Sequence, residues 1–249
     1  MVSGKYSALA GAIAREQSIA TVANNLANIN TSGYKKSGIN FESMLQAEKQ
    51  IKETKGINYS RSKENFTDFT PGAIRPTENP LDAALNGNGF FKVQGAESVL
   101  YTRRGDFVIN ADGLLTTASG LPVLDEGNGQ ITIPDTDTSD VVFAADGTIY
   151  LLGPRGSRSE VSKIAMVEFE NRNQLKRETD TTFSNPVGAA EIPSDTTTLV
   201  QGSLELSNVN MAEEMAKMVN NNRAYETMHK VLESYSALGE QLEELGTLG

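Results

Sequence analysis

Between Tyr6 and Ile29 the apolar residues fall on two adjacent stripes, one through Tyr6, Leu9, Ile13, Ala20, Ala23 and Ala27, the other through Ala12, Ile19, Val22, Leu26 and Ile29. Both stripes keep helical spacing, which predicts one amphipathic helix with two apolar faces. The first is rich in alanine and lets a neighbouring helix come close. The second carries larger side chains that fill space, so the helix can touch two partners at once. Gly33, after Asn30, Thr31 and Ser32, is the expected stop, because glycine takes the left-handed conformation that ends helices.

A second helix is predicted from Asn210, whose side chain suits a cap, with Glu213 three positions on to complete a capping box. From there Ala224, Met228, Val231, Tyr235, Leu238, Leu242 and Leu245 recur at alternating spacings of four and three, the pattern of a coiled-coil seam. Another stripe runs through Met211, Met215, Met218, Asn222, Tyr225 and Leu232. Continuous helix to Leu245 is about 50 Å long at roughly 1.5 Å per residue, more than a compact domain of this size requires.

Between the helices the periodicity changes. Residues 35 to 80 have few periodic apolar positions and are punctuated by Gly56, Pro71, Gly72, Pro76 and Pro80, which predicts an extended connector with short strands. From Leu81 to Val200, short apolar groups such as Phe90, Phe91 and Val93, or Val99, Leu100 and Tyr101, alternate with turn residues, as β-strands do. Asp112-Gly113 and Asp146-Gly147 are flanked by apolar pairs and read as tight hairpins. The fold class is therefore α+β: terminal helices forming a coiled-coil-like layer (1–33 and 201–249), a connector (34–80) and a mainly β domain (81–200).

The 249 residues are 38% hydrophobic, enough for a folded core. The net charge of −10 argues against nonspecific binding to nucleic-acid phosphates or anionic lipid. Residues 1 to 60 hold seven basic and four acidic side chains, so that part is +3 and the remainder −13, an asymmetry able to order subunits head to tail. There is no cysteine, which removes disulfides and thiolate metal sites. No apolar stretch reaches the roughly 20 residues of a membrane span, and the N-terminal sequence lacks the pattern of a cleaved secretory signal.

Catalytic side chains are scarce. The single histidine, His229, falls within the second helix, where a surface or packing role is the ordinary one. Ser32-Gly33-Tyr34-Lys35 matches a Ser-x-x-Lys pattern but has no Lys-Thr-Gly partner. Asp135, Asp137 and Asp140 lack the glycine of a calcium loop and read as a solvated acidic loop. Gly87-Asn88-Gly89 lacks the third glycine of a dinucleotide loop and precedes a strand. Arg104-Gly105-Asp106 spells an adhesion tripeptide, though a turn accounts for it as well. No enzyme, cofactor or metal site is expected.

Three separated segments resemble one family. Residues Ala23 to Lys35 (ANNLANINTSGYK) are similar to the N-terminal motif of the bacterial flagellar rod and hook proteins. Ser207-Asn208-Val209-Asn210, Glu214-Met215, Met218-Val219 and Arg223-Ala224-Tyr225-Glu226 resemble its closing motif. Asn79-Pro80-Leu81-Asp82, Gly87 to Phe91, Tyr101-Thr102-Arg103 and Gly120 to Leu124 resemble the β-domain of its rod members, the proximal rod first and the distal rod next. The resemblance implies export through the flagellar type III apparatus without signal cleavage, assembly under a rod cap with copies of itself and other rod proteins, and residence in the periplasmic drive shaft. The helices then form an inner layer and the β-domain an outer one. Leu9, Ile13, Ile19, Val22, Leu26, Ile29, Met215, Met218, Tyr225, Met228, Val231, Tyr235, Leu238 and Leu242 are the expected subunit-packing residues. The competing expectation is a secreted oligomeric adhesin presenting Arg104-Gly105-Asp106.

Overall fold

The structure is a computed structural model that describes residues 2–45, 58–134, 141–153, 157–186, 188–194 and 196–247, with side-chain packing described within 4–40 and 66–241. The chain divides into two units, one of Met1–Ala27, Ser37–Phe66 and Val209–Gly249, the other of Asn28–Lys36 and Thr67–Asn208.

The first unit contains α1 (Val2–Ala27), the paired strands β1 (Ser37–Leu45) and β2 (Asn58–Thr67), and α2 (Met211–Thr247). The Asn210 side chain accepts the amides of Ala212 and Glu213 at 3.0 and 3.3 Å, so α2 starts where its cap predicts. Glu213 and Glu214 in that first turn complement the positive end of the helix dipole. By contrast α1 stops at Ala27, short of Gly33. There Asn28 and Thr31 bond each other through backbone (3.2 Å) and side chains (3.0 Å), a local turn that competes with the helical ladder. The expected connector also differs, since β1 and β2 are nine and ten residues long and hydrogen-bonded to each other.

Within the first unit α1 and α2 pack antiparallel. Gly4 lies against Tyr235 and Gly11 against Met228. Further along, Arg15 and Ser18 bond Asn221, and Asn25 bonds Glu214. On α1 these contacts follow one row of three-and-four spacing, Gly4, Ala8, Gly11, Arg15, Ser18, Val22 and Asn25, and on α2 another, Glu214, Met218, Asn221, Tyr225, Met228, Leu232 and Tyr235. A Cβ added at Gly4 lies 2.5 Å from the Tyr235 hydroxyl, so the small residues of α1 make room for the large ones of α2.

The second unit is mainly β. Its strands begin with β3 (Ile74–Pro76), β4 (Ala83–Asn86), β5 (Phe90–Gln94), β6 (Val99–Thr102), β7 (Phe107–Ile109) and β8 (Leu115–Thr117). They continue with β9 (Val141–Phe143), β10 (Thr148–Leu152), β11 (Arg158–Lys163), β12 (Met166–Phe169) and β13 (Lys176–Arg177). The last are β14 (Thr182–Ser184), β15 (Glu191–Pro193), β16 (Thr198–Gln201) and β17 (Ser203–Glu205). A six-stranded sheet in the order β13-β14-β6-β5-β12-β15 is accompanied by a three-stranded β11-β10-β9 sheet and the pairs β16-β4, β17-β3 and β7-β8. The Asp-Gly turns join β7 to β8 and β9 to β10, with Gly113 and Gly147 at φ 76° and 88°.

Among the described residues two apolar clusters hold this unit together. Successive strand residues point to opposite faces. Accordingly Phe91 and Val93 join one cluster with Leu85, Phe107, Leu115, Ile131 and Ile149. Phe90 joins the other, an aromatic group in which Phe69 meets Phe90 and Phe183 edge to face at 5.6 and 5.0 Å. The Phe90-Phe91 doublet thus marks a strand covered on both sides.

Candidate functional site

The helix pair has one row buried between α1 and α2 and other rows left outward. On α1 the outward row is Tyr6, Leu9, Ile13, Ala20, Ala23 and Ala27, in which Tyr6, Leu9 and Ile13 are 65%, 43% and 47% exposed. On α2 the exposed large apolar residues among those described are Met211, Met215, Val219, Val231 and Leu238. Of the residues expected to pack subunits together, Leu9, Ile13, Met215, Val231 and Leu238 are exposed. Ile19, Leu26, Ile29, Met218, Tyr225, Met228 and Tyr235 are partly buried, Val22 is buried, and the Leu242 side chain lies outside the described residues. The row of α2 that faces α1 mixes both stripes read from the sequence and adds polar Glu214 and Asn221.

Those polar positions are satisfied across the pair. Buried Asn25 donates through Nδ2 to the Ser37 carbonyl at 2.9 Å and to Glu214 Oε2 at 3.0 Å, while its Oδ1 accepts the Ser37 amide at 2.9 Å. One side chain so reproduces the two bonds of a β-bridge and anchors the start of β1. Lys217 reaches Glu213 at 2.6 Å and Glu214 at 3.0 Å. Asn221 accepts from Arg15 at 3.2 Å and donates to Ser18 at 2.8 Å.

In the second unit a buried ion network organises residues 33–36. Lys35 Nζ donates to Glu205 Oε1 at 2.6 Å and to the Thr70 carbonyl at 2.9 Å. Arg103 approaches Glu205 Oε2 at 3.3 Å and donates to the Gly87 carbonyl at 2.7 Å, and the Gly72 amide donates to Glu205 Oε1 at 2.8 Å. Burial pushes the Lys35 ammonium and the Arg103 guanidinium below their ordinary pKa values, against the pull of Glu205. Arg177 closes the arrangement, lying over the Tyr34 ring at 4.9 Å and the Phe183 ring at 5.0 Å while donating to the Lys35 carbonyl. Asn208 accepts the Lys36 amide at 2.7 Å and donates to the carbonyls of Asp68 and Thr70. Gly33 sits at φ 69°, its amide on the Glu205 carbonyl at 2.8 Å.

The residues weighed for chemistry are otherwise engaged. Lys35 of the Ser-x-x-Lys match is committed to Glu205. His229 is exposed on α2 against the Tyr225 ring at 4.5 Å. Gly87 and Gly89 lie in the link from β4 to β5, and the loop of Asp135, Asp137 and Asp140 falls outside the described residues. Arg104 donates twice to Asp106, at 2.6 and 2.7 Å, so the adhesion-like tripeptide is closed on itself.

Three family descriptions match successive parts of the chain: "Flagella basal body rod protein" over residues 6–35, "Flagellar hook protein FlgE/F/G D1 domain" over 84–151, and "Flagellar basal body rod FlgEFG protein C-terminal" over 200–245. The flagellar basal-body rod protein FlgF of Caulobacter vibrioides is 32% identical over 255 residues that cover 100% of both chains. The chain belongs to the flagellar basal-body rod protein family. FlgG of Bacillus subtilis is 28% identical, covering 98% of this chain and 99% of its own, and FlgF of Mesorhizobium japonicum is 28% identical with 99% of each covered. The protein is accordingly a structural subunit of the flagellar rod rather than an enzyme, and the adhesin alternative has no support. Asn25, Lys35, Asn208, Asn210 and Glu214 all lie in the matched terminal segments, and their packing roles are those given above. Of these side chains only the Asn210 cap was legible in the sequence, since Lys35 and Glu205 become partners only in the fold.

Proposed function

We propose that the protein assembles with copies of itself and with other rod proteins through its terminal helices, and that the resulting shaft carries torque from motor to hook. The observation that carries this reading is the outward row of α1, Tyr6, Leu9, Ile13, Ala20, Ala23 and Ala27, which keeps three-and-four spacing on the side opposite the row packed on α2. A helix with unlike apolar faces supports the heterologous contacts from which filaments grow. Leu9 and Leu238 are 43% and 47% exposed, so covering what remains of one such side chain contributes about 1 kcal/mol, and several per subunit add up to firm cohesion.

In this reading helices of neighbouring subunits join as a coiled coil, with Leu9, Ile13, Ile19, Val22, Leu26, Ile29, Met215, Met218, Tyr225, Met228, Val231, Tyr235, Leu238 and Leu242 as packing residues. Residues 1–33 and 201–249 form an inner helical layer, 34–80 a connector and 81–200 the outer domain. The subunit takes a FlgF-like place in the periplasmic rod, reached through the type III export apparatus without signal cleavage and built under a rod cap. No cofactor, nucleic acid or inserted membrane segment takes part.

The test replaces the native copy with Leu9→Asp and Ile13→Asp variants. We expect the purified variants to keep the helical circular dichroism of the parent, while cells fail to swim and basal bodies seen by electron microscopy lack a completed rod. Complete rods and normal swimming would remove the outward row from assembly.

A further inference from the structure

Asn-Gly dipeptides occur three times, at Asn86-Gly87, Asn88-Gly89 and Asn128-Gly129. With no side chain on the following residue, its backbone nitrogen can approach the asparagine amide closely. In two of the three the asparagine is also exposed, but strand pairing or a side-chain bond holds it and packing holds the glycine that follows. Asn86 is paired with Thr198 as the last residue of β4, and a Cβ at Gly87 would meet Thr197 Oγ1 at 2.5 Å. Asn88 accepts from Arg172 at 3.1 Å, and the buried Gly89 amide donates to Thr197 Oγ1 at 3.0 Å.

The third is placed differently. Residues 126–130 are all exposed, and the Asn128 carboxamide bonds none of the described residues. Asn128 has φ 64°, in a turn closed by its own amide on the Asp125 carbonyl at 3.0 Å and by the Asp125 amide on the Gly129 carbonyl at 2.9 Å. The Gly129 N–H donates to Asp125 Oδ1 at 2.6 Å. A carboxylate therefore touches the proton that must leave before this nitrogen can act as a nucleophile.

We propose that Asn128 is a site of spontaneous covalent modification, its side-chain amide converting through a cyclic imide to aspartate and isoaspartate. Asp125 takes the Gly129 amide proton, and the nitrogen bonds to Asn128 Cγ. The Cγ–Nδ2 bond breaks, and Nδ2 leaves as ammonia with the proton returned from Asp125. Water then adds at either ring carbonyl and opens the imide. One water is consumed and one ammonia released, with no change of oxidation state. Either product adds a negative charge beside Asp125 and Glu126. Isoaspartate also lengthens the backbone inside a turn that sets Leu124 opposite Gln130.

The full chain, incubated at mildly alkaline pH with and without urea, tests this by peptide mass mapping of the three sites. In urea all three asparagines convert at similar rates. In the folded protein Asn128 converts faster than Asn86 and Asn88 by roughly tenfold or more, because native structure suppresses the other two. Suppression of Asn128 to the level of the other two overturns the proposal. Isoaspartate methyl transfer supplies a second readout: Asn128→Gln abolishes the signal of the folded protein, and a persisting signal places the product elsewhere and overturns it. Asp125→Asn slows native conversion severalfold without changing the rate in urea, and an unchanged native rate overturns the role given to Asp125.

Discussion

Asn25 and Glu214 stand 189 positions apart in the chain and share a buried hydrogen bond of 3.0 Å. Because Asn25 also holds both backbone groups of Ser37, one side chain ties the end of α1, the start of α2 and the start of β1. Asn25→Ala removes three hydrogen bonds, one buried and two partly buried, with an expected loss of about 2–3 kcal/mol. Urea unfolding followed by helical circular dichroism measures it, and a midpoint equal to the parent's would show that the junction contributes nothing.

Glu205 is the only carboxylate bonded to Lys35 and Arg103 among the described residues, and both pairs are almost wholly buried. Glu205→Gln strands two buried cations at an expected cost of about 3–5 kcal/mol. Lys35→Met leaves Glu205 paired with Arg103 and costs less. Hydrogen exchange of the strand amides from Ala83 to Thr102 reports the difference, and the reverse order of the two variants would contradict the network as described.

Gly33 combines two constraints. At φ 69° a side chain is strained, and a Cβ there lies 2.5 Å from the Arg104 amide nitrogen. Gly33→Ala should cost about 2 kcal/mol or more, the sum of a left-handed backbone and a clash with main chain that cannot swing away. Asparagine tolerates the backbone angle but not the contact, so Gly33→Asn should be nearly as harmful. Thermal unfolding that finds Gly33→Asn close to the parent would assign the whole effect to φ.

Glu168 accepts hydroxyls from Ser194, Thr197 and Thr196, the last two at 2.7 and 3.0 Å. The Ser194 bond foremost, opposed in part by desolvation, holds its carboxyl below the ordinary value of 4.5. The unfolded chain then binds the proton more readily, so this stabilisation is complete above that value and fades as pH falls through the folded pKa. Thermal midpoints measured from neutral pH down to about pH 3 should fall more steeply for the parent than for Glu168→Gln. Parallel curves would exclude a contribution from this group.

The two helices were legible because their apolar residues recur at three and four, and the strands because short apolar groups such as Phe90, Phe91 and Val93 alternate with turn residues. The row by which α1 meets α2 was not. Its members include Gly4, Arg15, Ser18 and Asn25, facing Asn221 and Glu214, and a reading that counts only apolar residues leaves such positions on the outside. Asn25, Glu214 and Asn221 are buried there, which is tolerable because each finds a mate on the other helix. β1 and β2 were expected only as short strands of a connector, because SGINFESML and NYSRSKENFT lack sustained alternation and their length and pairing show only in the fold. The Lys35–Glu205–Arg103 network escaped for a related reason: three ordinary charged residues far apart in sequence carry no local sign that they will meet.

The antiparallel register of α1 and α2 has a consequence for synthesis. On the ribosome the first helix emerges long before the segment that covers its inner row, and it must wait through the whole β-rich unit with Val22 and Asn25 uncovered. A product terminated early therefore carries a leading helix whose inner row no later segment of its own chain covers.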